Sequence, residues 1–234
     1  MEQNTAESPV LFTLWAWAEK NKKQLIYAAV GLGVAGIAIA YQMHSRAEKR
    51  IAAGKELSQT IFTQMGRPDV AATADALLKV ANANAGTPAG AQALLLGASS
   101  LFNAGKYPEA QAAFERFQKE NSGDVLLAQA IYGAGTALAA QGKLDDAARA
   151  YKQVVDQHSK SVVAKQAKFA LANAHESQGK PELALPLYQD VMRDGMAGSL
   201  VNEAAQRAEV LQAKLLPSLT APAGDATNAV PAKP

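Results

Sequence analysis

Hydrophobic positions in the middle of the chain follow a helical spacing, and the same pattern occurs three times. In each copy a Gly-Lys pair is followed by alanine at +5 from the glycine, a ring at +9 and an apolar residue at +12. The copies lie 37 residues apart: Gly105, Lys106, Ala110, Phe114 and Phe117; Gly142, Lys143, Ala147, Tyr151 and Val154; Gly179, Lys180, Ala184, Tyr188 and Val191. A fixed period of roughly 20–50 residues indicates a repeat architecture.

Each copy predicts two helices joined by the Gly-Lys turn. The first helices are expected at 91–104, 128–141 and 165–178, and glycine supplies the left-handed conformation that ends a helix. The alanine at +5 lets the second helix lie close to the first, and the ring at +9 fills the gap between units. Because no unit can bury its apolar face alone, stacking of the units supplies the core.

Less regular segments flank these copies. Gly66, Ala71 and Leu78 repeat the glycine, +5 and +12 positions and indicate a degenerate first unit. Residues 199–216 predict an amphipathic capping helix with Ser199 as its N-cap. After Leu216 the composition shifts to Ala, Pro, Thr and Gly, which predicts a disordered tail over 217–234. We therefore expect an all-α fold, with repeats over 66–198.

An uncharged stretch near the N-terminus precedes the repeats. Residues 24–43 contain no charged side chain, and about 20 residues of helix span the hydrocarbon core of a bilayer. Aromatic side chains lie near both ends, where amphipathic rings prefer the membrane interface: Trp15, Trp17, Tyr27 and Tyr41. We expect a tail at 1–23, a single transmembrane helix at 24–43, and a helical neck with the first repeat helix at 44–65. Basic residues flank both sides, so charge alone does not fix the orientation.

Three other interpretations compete with a membrane span in this stretch. Gly31, Gly33 and Gly36 match the dinucleotide fingerprint G-x-G-x-x-G, with Glu56 where a ribose-binding acid is expected. That fold needs a following parallel strand, and residues 47–64 contain no strand pattern. Ala38-Ile39-Ala40 resembles a signal-peptidase site, so cleavage after Ala40 is an alternative. A buried soluble helix that is apolar on every face would need more protein around it.

Composition narrows the classes of function. The formal net charge is +2, with 23 basic and 21 acidic residues, and no basic stripe with interleaved aromatics suggests a nucleic-acid surface. The chain has no cysteine, which excludes disulfides, thiolate chemistry and cysteine-based metal sites. Alanine dominates the middle of the chain and favours helices that pack closely.

Candidate catalytic groups have simpler explanations. The three histidines, His44, His158 and His175, have no partners at ligand spacing, so no metal site is expected. Asp145-Asp146 complements a helix dipole, and Ser99-Ser100 has no recognisable base. The Gly-Lys pairs lack the other glycine and the hydroxyl of a phosphate loop. We expect no enzyme, cofactor or small-molecule substrate.

The ladder resembles the tetratricopeptide repeat, which has glycine, alanine five later and an aromatic residue nine later. The resemblance covers residues 66–194, with a pitch of 37 in place of about 34. The tryptophan column of the family holds Leu94, Ile131 and Lys168, and its closing proline is replaced by Ser122 and Ser159. The resemblance implies an α-solenoid that binds polypeptides.

The resemblance also implies which side chains face a groove, namely positions 2, 5, 9 and 12 of each first helix. These are Gln92, Leu95, Ser99 and Phe102; Gln129, Tyr132, Thr136 and Ala139; Gln166, Phe169, Asn173 and Glu176. Side-chain amides can bond the backbone of an extended peptide while the rings of Tyr132 and Phe169 cover its side chains.

The complete architecture is similar to that of the YfgM family. The similarity covers residues 10–216: a tail ending in Trp15-x-Trp17-x-x-Lys20-Asn-Lys-Lys23, one span, a basic neck and degenerate repeats. This family comprises single-pass bacterial inner-membrane proteins ancillary to the SecYEG translocon, with the repeats in the periplasm. The resemblance implies a tethered scaffold that contacts the translocon and a membrane-anchored periplasmic chaperone. The alternatives are a periplasmic coordinator of envelope assembly released by cleavage after Ala40, and the same scaffold facing the cytosol.

Overall fold

The computed structural model describes residues 9–66, 69–193 and 198–220, and every regular element in these ranges is an α-helix. The ten helices of this part of the chain are α1 (Pro9–Lys20), α2 (Lys22–Gln64), α3 (Val70–Ala83), α4 (Pro88–Asn103), α5 (Tyr107–Glu120), α6 (Leu127–Ala140), α7 (Leu144–Gln157), α8 (Ala164–Ser177), α9 (Pro181–Arg193) and α10 (Ser199–Thr220). The predicted all-α class is therefore confirmed.

The chain divides into two compact units, residues 1–52 and 53–234. In the first unit, Asn21 joins α1 to α2, and its N–H donates to the Trp17 carbonyl at 3.0 Å. Among the described helices, α2 is long and apolar enough to cross a membrane by length and composition. Its apolar side chains are exposed in the protein, with Leu32 at 75% and Ile37 at 72%.

The second unit is a stack of helical hairpins. Each helix from α3 to α10 packs against its neighbours in the chain, and α4, α6, α8 and α10 also contact one another in that order. The predicted first helices of the three regular units are α4, α6 and α8, with ends within a few residues of those expected. This order of contacts is that of a solenoid, in which each unit touches only its neighbours.

The repeated positions have the packing roles that their residue types predict. The alanines at +5 are Ala110, Ala147 and Ala184, and none of them has any exposed surface. The ring column is 4%, 3% and 0% exposed at Phe114, Tyr151 and Tyr188 respectively. The turn glycines Gly105, Gly142 and Gly179 have φ of +74°, +76° and +70°, which is the left-handed conformation that favours glycine.

The first, degenerate unit has a different register from the one expected. Ala71 and Leu78 are only half-buried, whereas Ala74 has no exposed surface. The alanine column therefore continues at Ala74, because the connection from Gln64 to Val70 is longer than the Gly-Lys turns of the regular units. The C-terminal part of α2 forms the other half of this unit through Leu57, which is 4% exposed and packs in the same cluster as α3 and α4.

The last helix covers the end of the stack. Three side chains of α10, Ala204, Ala208 and Leu211, are at most 5% exposed and pack in one cluster with Tyr188 and Val191 of α9. The helix continues to Thr220, four residues beyond the predicted end at 216. The rest of the expected disordered tail, 221–234, and the first eight residues of the N-terminal tail lie outside the described residues.

Candidate polypeptide-binding cleft

A cleft of about 350 Å³ opens between α4 and α6. It brings together six of the residues predicted to face a groove: Leu95, Ser99, Phe102, Gln129, Tyr132 and Thr136. The remaining lining residues are Asn103, Phe114, Gly133 and Val163, so no charged side chain lines the cleft. We call this space the α4–α6 cleft, and the side of the stack formed by α4, α6 and α8 the first-helix face.

The floor of the cleft depends on a contact between Phe114 and Gly133. A Cβ atom at Gly133 would lie 2.5 Å from Cζ of Phe114, which is closer than real Cβ contacts. Glycine therefore allows the Phe114 ring of α5 to lie directly against the backbone of α6. Close approaches also occur at the neighbouring interfaces: a Cβ atom would lie 3.0 Å from Cδ2 of Leu78 at Gly97 and 2.8 Å from Cε1 of Tyr151 at Gly135. The approach at Gly133 is the closest of these three.

Ring hydroxyls occupy the equivalent place in the next two repeats. The Tyr151 hydroxyl donates to Thr136 Oγ1 at 3.5 Å. The Tyr188 hydroxyl donates to Glu176 Oε2 at 2.8 Å and also lies within hydrogen-bond distance of Asn173 Oδ1. Each hydroxyl thus ties the ring of a second helix to a predicted groove position of the first helix.

The α4–α6 cleft lacks such a tie because Phe114 has no hydroxyl. Ser99 occupies the position equivalent to Thr136 and Asn173, and its Oγ donates to the Leu95 carbonyl at 3.0 Å. The Ser99 side chain is exposed, and its oxygen keeps its acceptor capacity. The absence of one oxygen atom leaves an apolar floor where the next two repeats have a polar contact.

Both tied hydroxyls remain protonated at ordinary pH. Burial raises the pKa of Tyr151 to about 12. Burial, and then the hydrogen bond to Glu176, raise the pKa of Tyr188 well above its usual range. The contact at Tyr188 continues to the last helix, because Arg207 Nη1 lies 3.4 Å from Glu176 Oε1. This end of the first-helix face is therefore charged and internally paired.

The other predicted groove residues lie outside the cleft. Gln92 and Gln166 are exposed, and Ala139 is half-buried. Phe169 is only 8% exposed, and its ring centroid lies 5.5 Å from that of Tyr188. The structure thus places Phe169 mainly in the core, so its surface for covering a bound segment is small. Tyr132 is half-buried and lines the cleft, with its ring 5.7 Å from that of Tyr151.

Sequence reasoning missed four lining residues. Phe114 was expected only to fill space, although its difference from Tyr151 and Tyr188 in the same column was visible in the sequence. Asn103 directly follows the predicted groove residue Phe102, and Gly133 stands alone at its position in the repeat. Val163 is the N-cap residue that directly precedes α8, and no local pattern indicates that it reaches this cleft.

The structure also shows where the residues of the other candidate sites lie, namely the dinucleotide fingerprint and the acidic side chains. Gly31, Gly33 and Gly36 lie within the continuous helix α2, so they do not form the strand-to-helix turn of a dinucleotide site. Glu56 accepts a hydrogen bond from Asn84 Nδ2 at 2.9 Å. Asp145 accepts one from Gln178 Nε2 at 3.0 Å, between neighbouring repeats. Within the described ranges, no group of three or more His, Asp or Glu side chains could hold a metal ion.

Comparisons with known proteins agree with this geometry. A profile of the family described as tetratricopeptide repeat matches residues 62–125 and 132–197. A crystal structure of MamA is 18% identical, covers 68% of this chain and 96% of its own, and has a TM-score of 0.47. The MamA RS-1 ArsTM double mutant is 16% identical, covers 72% and 97%, and has a TM-score of 0.50.

A further structural match is the nearly identical TPR-like repeats of a predicted kinesin light chain from Podospora anserina. They are 15% identical, cover 75% of this chain and 96% of their own, and have a TM-score of 0.49. No curated protein matches the chain. Of these structures, only the MamA RS-1 ArsTM double mutant reaches a TM-score of 0.50, and at 16% identity it supports the fold alone.

Proposed function

Because this chain belongs to the tetratricopeptide repeat family, whose profile matches more than half of it, we propose that it is a membrane-tethered scaffold that binds polypeptides on its first-helix face. The repeat fold implies a protein–protein interaction scaffold. The observation that carries the proposal is the α4–α6 cleft, which is uncharged, apolar at its floor and lined by the first helices of two successive repeats.

The polar groups at the cleft suit a peptide backbone. The side-chain amides of Asn103 and Gln129 make no hydrogen bond within the part of the chain that the structure describes, and both line the cleft. An amide offers both donors and acceptors, as an extended peptide requires. A phosphate or carboxylate ligand would need cationic partners, and the cleft lining contains none.

The proposed tether is the apolar part of α2, residues 24–43. Its length and composition suffice for a membrane span, and its apolar side chains are exposed. By the resemblance to the YfgM family, we propose a single-pass protein of the bacterial inner membrane, with the repeats in the periplasm. Its partners would be the SecYEG translocon and a membrane-anchored periplasmic chaperone.

In vivo photocrosslinking tests this function. A photoreactive phenylalanine analogue at Tyr132, which is half-buried in the cleft, should crosslink to a SecYEG subunit or to a periplasmic chaperone. The control is the same analogue at Gln153, an exposed position on the second helix α7. If Tyr132 gives no more crosslinks to these partners than Gln153 does, the translocon proposal is wrong.

Two further measurements separate the tethered scaffold from its alternatives. Carbonate-resistant membrane association of the full chain supports the tether, whereas a soluble product shortened at Ala40 supports the released periplasmic protein. Protease should reach the C-terminal region in spheroplasts if the repeats face the periplasm. Protection of that region would instead support the cytosolic orientation.

A further inference from the structure

The floor of the α4–α6 cleft lacks a ring hydroxyl that is present at the equivalent position of the next repeat. Tyr151 places its hydroxyl against Thr136, whereas Phe114 presents only ring carbon to the cleft beside Ser99. Leu95, Phe102 and Tyr132 supply the other large apolar surfaces of the lining. An apolar ligand group therefore meets carbon on several sides here, while at the next repeat it would meet a hydroxyl pair.

Charge complementarity limits what this cleft can accept. Burial of an ionised side chain is costly unless a partner of opposite charge is present. The lining contains no Asp, Glu, Lys, Arg or His. Among the predicted groove positions Glu176 alone carries a charge, and it is paired with Arg207 and bonded to Tyr188. The cleft is thus complementary to an uncharged group.

The rim of the cleft is polar. The side-chain amides of Asn103 and Gln129 make no hydrogen bond among the residues that the structure describes, and the Ser99 hydroxyl donates to the Leu95 carbonyl. The amides of Asn103 and Gln129 and the hydroxyl of Ser99 lie beside the apolar floor. The volume of about 350 Å³ is near the lower end of ligand pockets, which suits one large side chain and its adjoining backbone. Apolar floor and amide rim together match a peptide segment that inserts one side chain and leaves its backbone at the rim.

We infer that the α4–α6 cleft is a specificity site that anchors a bound polypeptide by one large, uncharged apolar side chain. This inference rests on the proposed function, because it names the chemistry of the segment that the first-helix face binds. The occupant is an extended segment of a partner protein that contains Phe or Leu at the anchoring position. Full burial of such a side chain corresponds to about a ten- to hundredfold gain in affinity over an alanine.

A series of synthetic host peptides tests the inference. The peptides have a background of Gly, Ser and Gln with one central guest residue, which is Phe, Leu, Ala, Asp or Lys. Binding of each fluorescently labelled peptide to the full chain in detergent is measured by anisotropy. We expect the Phe and Leu guests to bind at least about tenfold more tightly than Ala, and the Asp and Lys guests most weakly.

The matched variant is Phe114→Tyr, which inserts the residue found at the two equivalent positions, Tyr151 and Tyr188. The new hydroxyl should approach Ser99 and reduce the preference for Phe over Ala severalfold. Phe62→Tyr makes the same chemical change at a side chain that is 78% exposed outside the cleft, and should leave the preference unchanged. Melting temperatures of both variants establish that they are folded.

A second variant keeps the test decisive if Phe114→Tyr does not fold. Ser99→Asp places a carboxylate at an exposed position on the rim and should make the Lys guest bind more tightly than the Asp guest. Binding of all guests with equal affinity, or a preference for a charged guest by the unaltered chain, overturns the inference and leaves the polypeptide-binding function standing. Absence of binding by every peptide overturns both.

Discussion

The hydroxyl of Tyr188 should contribute far more to stability than that of Tyr151, although both residues occupy the same column of the repeat. The perturbation is tyrosine to phenylalanine at each position, which removes one oxygen atom and keeps the buried ring. Tyr188 has no exposed surface and donates at 2.8 Å to the carboxylate of Glu176. Tyr151 donates at 3.5 Å to a neutral hydroxyl, at the limit of hydrogen-bond distance.

The magnitudes follow from the two acceptors. A hydrogen bond to a charged group contributes about 1.5–3 kcal/mol, and a neutral bond of ordinary length about 0.5–1.5 kcal/mol. The long contact of Tyr151 should lie at or below the lower limit of the neutral range. For a protein of this size, each kcal/mol shifts the melting temperature by about 2–4 °C. We expect Tyr188→Phe to lower it by roughly 3–12 °C and Tyr151→Phe by about 2 °C or less.

Thermal unfolding of the full chain in detergent, followed by far-ultraviolet circular dichroism, measures both values. Tyr151→Phe is the matched control because it removes the same atom from the same element 37 residues earlier. Glu176→Gln retains an acceptor without the charge and should lie between Tyr188→Phe and the unaltered chain. Equal losses from the two tyrosine variants would refute the argument that the charged acceptor determines the difference.

Three further predictions concern pH, packing and capping. Tyr151 has a pKa of about 12 in the folded chain, above the usual 10.0, so its stabilising contribution is complete below about pH 10 and is lost as the pH rises towards 12. The melting temperature should therefore fall over this interval. The fall should be less steep in Tyr151→Phe. Gly133→Ala should lower the melting temperature, because overpacking against Phe114 costs about 1–3 kcal/mol and exceeds the gain in helix propensity of about 1 kcal/mol. Gly54→Ala is the control, since no atom lies within 4 Å of the new methyl group, and it should raise the melting temperature. Thr87→Ala removes the oxygen that accepts from the Gly90 N–H at 3.0 Å, and should lower the free energy of unfolding in urea by about 1 kcal/mol. Thr63→Ala, within helix α2, should lower it by less. Equal losses would contradict the capping role of Thr87.

The repeat pattern was sufficient to predict the fold because each repeated residue has a strict local or packing requirement. Glycine at a left-handed turn and alanine with no exposed surface leave few other choices at Gly142 and Ala147. These requirements recur at a fixed pitch, so the pattern fixes which helices pair. The first unit was placed in the wrong register because its turn is longer, and the pattern around Gly66 could not show that Ala74 would be the buried alanine.

The cleft could be predicted only in part. The helix positions that face it follow from helical spacing, which explains why Ser99, Gln129 and Thr136 meet there. The exposure of a groove side chain depends on contacts with other helices, and the spacing of residues within one helix does not predict those contacts. Phe169 is therefore covered by Tyr188, while the equivalent residue Tyr132 lines an open space.

The equal spacing of the Gly-Lys turns has a consequence for how this protein can evolve. Recombination that joins Gly142 to Lys180 would delete 37 residues, including α7 and α8, and would leave an intact Gly-Lys turn at the junction. Tyr188 would then occupy the column position of Tyr151, with Thr136 in place of Asn173. Because the alanine and ring columns also recur at this pitch, the shortened stack would keep the same kinds of contact. Gains and losses of whole repeats are therefore the natural steps by which relatives of this chain should differ in length.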